Sequence, residues 1–209
     1  MFSSAYTAYQ ITPHEARPGR PREFTMDLTI RAVLDLDWND AGRPTAERTI
    51  TRALNQFAGG RRMFRHTPVD VRWHLVWDAN RSSQKSLKIA FMPRDLLLAA
   101  GEGGVFVLTI DGFGTRIGRV LLPAEGLAAH GSRRPGSPRD AFGRVIAHEF
   151  GHALGLPDDR GDRRTIMYFR ELNPRQLRRI SQHWTDQELR TALQGLFARP
   201  ADLPPWLNS

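Results

Sequence analysis

Short runs of the chain alternate apolar and polar residues, which is the pattern of strands that bury one face. The clearest runs cover residues 26–36 and 69–77, where apolar side chains fall mostly on every second position. Shorter runs at 87–91, 105–110 and 116–122 favour three more strands. The last two runs are joined by Asp-Gly-Phe-Gly, a combination typical of a hairpin turn. The alternation therefore predicts five strands.

Other segments carry apolar residues at the three- and four-residue spacing of an amphipathic helix. One spans residues 45–57 and is ended by a Gly-Gly pair. A second begins at Pro138 behind Ser137 as N-cap. A third begins behind Thr185, and the glutamate three residues later completes a capping box. A shorter helix is expected from Asn173-Pro174. The apolar stripes of the second and third helices are Phe142, Ile146, Phe150 and Ala153, then Leu189, Ala192, Leu193, Leu196 and Phe197.

These elements predict an α+β fold in a single domain over residues 25–199. The segment 1–24 holds three prolines and several charges, and it is expected to be a loose arm. Residues 200–209 form a Pro-rich tail in which regular structure ends. The N-terminus shows no signal peptide and the chain no membrane-spanning run, so at face value the location is cytoplasmic.

Composition adds limits. Apolar residues make up 40% and charged residues 25% of the chain, an ordinary globular profile, and the absence of cysteine excludes disulfides and a cysteine-based metal site. The net charge is +8, and Lys85 and Lys88 are the only lysines among 30 basic residues. The arginines are spread in pairs without a nucleic-acid-binding signature, which favours a basic surface over a nucleic-acid site.

The strongest chemical signal is a run that begins at His148 and reads H-E-x-x-H-x-x-G-x-x-D. Two histidines four apart on a helix share one face, so His148 and His152 can reach one zinc ion. Glu149 lies beside the metal as a general base, Gly155 ends the helix, and Asp158 offers a third ligand. By chance such a run would occur in about 1 chain in 20,000 of this composition, which favours a functional site. Three protein ligands are typical of a catalytic zinc.

The run resembles the metzincin zinc endopeptidases, whose pattern continues into a methionine turn. The aspartate as last ligand is similar to snapalysin-type members, and Met167 in Thr-Ile-Met-Tyr resembles the turn methionine. The resemblance implies a zinc-dependent endopeptidase with a twisted mixed five-stranded sheet, a backing helix, an active-site helix and C-terminal helices. It also implies that an edge strand from Val105 to Thr109 binds a peptide substrate, that the protein is extracellular and that it is a monomer.

The chain departs from the family at the tyrosines that could stabilise the oxyanion. Phe169 and Arg160 stand at those positions. Either Tyr168 or Arg160 could substitute, although an ordinary surface role is the first expectation for each. Structural calcium at Asp111 in the hairpin turn is a minor possibility, because the turn lacks an EF-hand pattern.

Three alternatives to an endopeptidase remain at this point. The first is a narrow-specificity zinc amidase or processing peptidase, since the motif defines the metal and the base but not the substrate. The second is a zinc-binding module without protease activity, against which Glu149 argues. The third is an Arg-rich nucleic-acid-binding protein.

Overall fold

The computed structural model describes residues 6–15, 18–19, 21–34, 42–79, 86–99, 104–110, 116–128, 137–168, 182–197 and 199–208. These residues form seven strands and four α-helices. The strands are β1 (Thr7–Pro13), β2 (Phe24–Leu34), β3 (Gly60–Phe64), β4 (Thr67–Trp77), β5 (Leu87–Met92), β6 (Val105–Ile110) and β7 (Arg116–Pro123). The helices are α1 (Arg43–Phe57), α2 (Arg94–Ala99), α3 (Pro138–Ala153) and α4 (Asp186–Gln194).

The strands make one mixed sheet in the order β3-β4-β2-β5-β7-β6. Strand β2 runs parallel to β4 and β5, and β5 runs parallel to β7. The outer strands β3 and β6 are antiparallel to their neighbours. Strand β1 pairs antiparallel with the first part of β2, while β5 pairs with its last three residues. Parallel neighbours need a crossover connection, and α1 lies in the crossover from β2 towards β4.

The sequence prediction of an α+β fold agrees with this arrangement, but the strand count of five was wrong. The two strands that it missed are β1 and β3. Most residues of β1 are exposed or half-buried, and β3 buries only Phe64. Such strands lack the apolar alternation that reveals a buried face. Part of the segment expected to be a loose arm is therefore a strand of the sheet.

Two parts of the chain near its ends pack on the rest of the molecule. Tyr6 is buried, and its hydroxyl donates a hydrogen bond to the carbonyl oxygen of Ala153 at the end of α3. In the segment expected to be a Pro-rich tail, Trp206 is buried and its ring stacks 5.7 Å from the ring of Phe64. Leu207 beside it is fully buried.

The core lies between the sheet and the helices α1, α3 and α4. Its largest fully buried side chains include Trp73 of β4 and Trp184 before α4, whose rings meet edge to face at 5.9 Å. Each indole N–H is bonded, to the carbonyls of Ala58 and Ala147 respectively. Burying aromatic rings with their polar atoms satisfied fixes α3 against the sheet.

Helix α3 has the start and the buried face that the sequence predicts. The side chain of Ser137 accepts a hydrogen bond from the backbone N–H of Asp140, and Pro138 occupies the first turn. All four residues of its predicted apolar stripe are buried. The opposite face of the helix is left for the histidines.

Several expectations fall outside the described residues. These are the hairpin turn with the calcium candidate Asp111, the helix expected from Asn173, and Phe169. Strands β6 and β7 on either side of that turn are paired antiparallel, as a hairpin requires. In the described parts of the chain, none of the helices combines the length and apolar character needed to cross a membrane.

Candidate metal centre

The three predicted ligands come together at the end of α3. His148 and His152 are one helical turn apart, and Asp158 lies in the loop that follows. The chain reverses at Gly155, which has a φ of +90°. There, the N–H of Leu156 bonds the carbonyl of Gly151 at 2.9 Å, and the N–H of Gly155 bonds that of His152 at 2.9 Å. This is a Schellman ending, in which a glycine takes the left-handed conformation at low cost.

The ligand atoms form a small triangle. The Nε2 atoms of His148 and His152 are 3.0 Å apart, and each is 3.4 Å from Oδ1 of Asp158. Ligands at 2.0–2.1 Å from a tetrahedral zinc lie about 3.3–3.4 Å from one another. The triangle therefore has the size that such coordination needs, and the group could hold a metal ion.

Each histidine is oriented through its other ring nitrogen. Nδ1 of His148 lies 2.9 Å from the carbonyl oxygen of Ile166, and Nδ1 of His152 lies 2.8 Å from that of Leu156. A carbonyl oxygen can only accept, so both Nδ1 atoms carry the proton and donate it. Backbone carbonyls commonly hold metal-binding imidazoles in this way.

This choice of tautomer leaves both Nε2 atoms as acceptors in the neutral rings. Two nitrogen lone pairs and a carboxylate oxygen then face a common point, and they repel one another unless something positive lies between them. A divalent cation relieves that repulsion and uses all three lone pairs. The residues present therefore fit a metal ion by chemistry as well as by distance.

The carboxylates of Asp158 and its neighbour Asp159 make different contacts. The carboxylate of Asp159 accepts hydrogen bonds from the backbone N–H groups of Gly161 at 2.6 Å and Asp162 at 2.9 Å. Its own N–H donates to the carbonyl of Met167 at 2.7 Å. Asp159 thus shapes the loop, whereas Asp158 faces the histidines, as the motif register predicts.

Glu149 directly follows His148 on α3 and is only 6% exposed. It packs closely against Gly104, the residue before edge strand β6. A Cβ atom at Gly104 would lie 3.2 Å from Oε1 of Glu149 and 2.6 Å from a methyl of Val145. The start of β6 and the carboxylate of Glu149 are therefore in contact range. The sequence offers no signal for this close approach, because Gly104 is one of several glycines in a short run.

Met167 packs against α3 at Gly151. The side chain is fully buried, and a Cβ atom at Gly151 would lie only 2.3 Å from its sulfur. Gly151 stands between the two histidines in sequence. The glycine in the motif thus lets the thioether approach the helix backbone in the turn that carries the histidines, and a role as the turn methionine of a metal site stays a prediction.

The two candidates for oxyanion stabilisation are both placed by the structure. Tyr168 is half-buried and forms a backbone bridge with Asp159. Arg160 is exposed on the loop after Asp158. Their part in catalysis stays a prediction.

Sequence reasoning missed a buried contact that joins the loop after the candidate site to α4. The hydroxyl of Thr165 bonds the carboxylate of Glu188 on α4. Glu188 was recognised as a capping residue, but nothing in the sequence connects it with Thr165.

Compared with known proteins, the chain matches no protein-family model and no curated sequence. The case for its chemistry therefore rests on the residues of the site.

Proposed function

We propose that the protein is a zinc-dependent endopeptidase that hydrolyses peptide bonds with Glu149 as general base. The observation that supports it is the triangle of His148, His152 and Asp158, with both Nδ1 atoms committed to backbone carbonyls, next to a buried glutamate. A site that only binds a metal does not need that glutamate, because the three ligands are complete without it.

Zinc bound by the three ligands would polarise the scissile carbonyl and make a water molecule more acidic. Glu149 takes the proton from the attacking water and later delivers it to the leaving amine. Its low exposure keeps the carboxylate away from bulk water, where it would exchange that proton with solvent. His148 and His152 keep their ring planes fixed during this cycle, because each Nδ1–H stays hydrogen-bonded to a backbone carbonyl oxygen.

The edge strand β6 supplies a surface for an extended substrate. It pairs with β7 on one side, and no strand of the described residues covers the other side. Backbone groups on a free edge can pair with a peptide of any sequence, which suits an endopeptidase. Gly104 places the start of this strand against Glu149, so a peptide added to the edge would pass close to the base.

The decisive experiment compares the wild-type protein with Glu149→Gln, using elemental analysis for zinc and digestion of a peptide library. We expect about one zinc per chain in both proteins, and a turnover about 10²–10⁴-fold lower in the variant. Glu47→Gln, on helix α1, serves as a matched control and should keep both zinc and turnover. Zinc absent from the wild-type protein after zinc supplementation would refute the site.

The same experiment distinguishes the alternatives. Zinc without cleavage of any library peptide would favour the zinc-binding module, and cleavage of a single peptide class would favour a processing peptidase. Hydrolysis that persists in Glu149→Gln would show that another group activates the water.

A further inference from the structure

A buried hydroxyl lies at the junction between the loop after the candidate site and the C-terminal helix. Thr165 has no solvent exposure, and its Oγ1 lies 2.6 Å from both carboxylate oxygens of Glu188. The same oxygen lies 3.0 Å from the backbone nitrogen of Met167. A carboxylate can only accept and an N–H can only donate, so the hydroxyl donates to Glu188 and accepts from Met167. Both of its bonds therefore have a defined direction.

The residue between Thr165 and Met167 holds a metal ligand. Ile166 accepts the Nδ1 proton of His148 through its carbonyl oxygen. Met167 in turn packs on α3 at Gly151, two residues after Glu149. Thr165 is thus the residue directly before the one whose carbonyl oxygen orients His148.

Glu188 has a second partner in its own helix. Its carboxylate accepts the backbone N–H of Thr185 at 2.7 Å, and its N–H donates to the Thr185 hydroxyl at 3.1 Å, which together make the capping box of α4. The backbone adds a further link, since the N–H of Ile166 bonds the carbonyl of His183 at 3.2 Å. One carboxylate therefore ties the first turn of α4 to the loop that carries the carbonyl of Ile166.

We propose that Thr165 and Glu188 are positioning residues for the metal centre, which couple the first turn of α4 to the orientation of His148. This inference rests on the proposed function, because it requires that His148 binds a metal. A hydrogen bond to a carboxylate is shorter and stronger than one between neutral groups, so it holds the loop backbone closely. Groups that orient metal-bound histidines commonly change metal affinity about 10–100-fold when they are removed.

The competing interpretation is that this contact only fastens α4 to the rest of the fold. The two interpretations differ in what a lost hydroxyl does to the metal site when the stability loss is matched. Loss of a purely structural contact lowers stability and leaves the coordination of bound metal unchanged. Loss of a positioning contact also changes metal affinity and coordination, because the carbonyl of Ile166 moves with the loop.

The test titrates Co²⁺ into the metal-free full-length chain and records the visible absorption spectrum, which reports the geometry around the ion. Thr165→Val keeps the shape of the side chain and removes the hydroxyl, whereas Thr165→Ser keeps the hydroxyl. Gln194→Ala removes the hydrogen bond from the other end of α4 to the carbonyl oxygen of Leu207 and leaves Glu188 with both of its threonine partners, so it is the control for loss of stability.

We expect Thr165→Val to weaken Co²⁺ binding about 10–100-fold and to alter the spectrum. Thr165→Ser should keep both as in the wild-type protein, and Gln194→Ala should lower the unfolding midpoint with the affinity and spectrum of the wild-type protein. A Thr165→Val protein that binds Co²⁺ as the wild type does, with the same spectrum, overturns the positioning role. So does a Gln194→Ala protein that shows the same weakening and the same altered spectrum.

Failure of the metal site gives a different result, since the wild-type chain would then bind neither Co²⁺ nor Zn²⁺. Failure of the peptidase activity alone shows as metal binding without peptide cleavage, and it leaves this test unaffected. If Thr165→Val does not fold, Glu188→Gln decides the question. Glutamine still completes a capping box, but its neutral oxygen is a weaker acceptor for the Thr165 hydroxyl. We expect weaker Co²⁺ binding in the same direction, and an unchanged affinity and spectrum would overturn the inference.

Discussion

The candidate site joins a helix to a loop, and the two regions hold their ligands in different ways. The side chains of His148 and His152 on α3 are 20% and 21% exposed, and each ring is oriented by a hydrogen bond from its Nδ1 to a backbone carbonyl. The side chain of Asp158 in the loop is 48% exposed and has no other polar partner among the described residues. The helix therefore supplies a preorganised pair, whereas the loop supplies a carboxylate whose position depends on the backbone around it.

That backbone is shaped at both ends. The Schellman ending at Gly155 aims the chain back across the helix end, and the bond from Asp159 to the carbonyl of Met167 closes the far side. Asp158 lies between these two backbone features, so the backbone directs its exposed side chain. Because the histidine rings are also held by their own hydrogen bonds and the Asp158 side chain is not, we expect the loss of a helix ligand to cost more metal affinity than the loss of the loop ligand.

The largest effect should follow from removing ligands one at a time. His152→Ala should reduce zinc affinity by more than about 100-fold, beyond the range for a supporting group. Asp158→Ala should reduce it less, because water can reach the exposed position and replace the carboxylate. Zinc titration of the metal-free variants measures both, with Asp159→Ala as the matched control.

Asp159→Ala removes bonds to the backbone of the loop and no ligand, so its zinc affinity should stay closest to that of the wild-type protein. If Asp159→Ala loses more affinity than Asp158→Ala, the ligand register is wrong. If Asp158→Ala is as damaging as His152→Ala, the contrast between helix and loop does not hold.

A smaller effect is expected from adding a methyl group at the two glycines of the motif. Gly151→Ala would force its Cβ against the sulfur of Met167, and overpacking of this kind costs about 1–3 kcal/mol. At Gly155 space is open, but φ is +90°, so Gly155→Ala strains only the backbone. Backbone strain of this kind also costs about 1–3 kcal/mol, at the lower end for a single residue in open space.

Urea unfolding of the two metal-free variants sharpens this comparison. We expect Gly151→Ala to be the less stable protein and to bind zinc more weakly, because Met167 adjoins the residue that orients His148. Equal zinc affinity in Gly151→Ala and the wild-type protein would mean that the methionine beneath the helix does not affect the ligands.

Removing the hydroxyl of Tyr6 tests how the end of α3 is held. Tyr6→Phe deletes the bond to the carbonyl of Ala153 and keeps the packing of the ring. An unsatisfied buried acceptor costs about 1–3 kcal/mol, and the lower end is expected at a helix terminus. The midpoint temperature of thermal unfolding should fall by about 2–4 °C for each kcal/mol of unfolding free energy that is lost. Tyr9→Phe, in an exposed position of β1, is the control and should leave the midpoint unchanged.

The smallest effect concerns His183, whose backbone pairs with the loop at Thr165 and Ile166. Burial and then the charge of Arg62 lower the pKa of His183 below its ordinary value, with Arg144 acting in the same direction and Asp140 against it. The unfolded chain therefore takes up this proton before the folded protein does. The free energy of unfolding should fall as the pH drops below about 6.5, the ordinary value for histidine.

His183→Gln should flatten that dependence. The measurement compares the two metal-free proteins in urea at several pH values between about 5 and 8, where histidine titrates. At the alkaline end His183 is neutral in both states, so its titration contributes nothing to the dependence there. Parallel curves for the two proteins would show that His183 does not contribute.

The sequence predicts well which three residues come together at the candidate site and predicts the contacts around them poorly, for physical reasons. Within eleven residues the motif contains two histidines spaced for one helix face, a glycine that ends the helix and the following aspartate. Local geometry alone therefore brings His148, His152 and Asp158 together. The contact between Thr165 and Glu188 spans 23 residues of chain and depends on how α4 packs. Strand β1 was missed for the related reason that its few buried positions give no alternation.

Strand β1 carries one more implication, in the order of folding events. The contact between Tyr6 and Ala153 spans 147 residues, and the parallel strand pairs also join residues that lie far apart in the sequence. Such non-local contacts form slowly, because the intervening chain must be ordered first. During synthesis, the segment before β2 has no helix end to meet until α3 has emerged. We therefore expect the ligand-bearing end of α3 to reach its final structure late, after the central strands have paired.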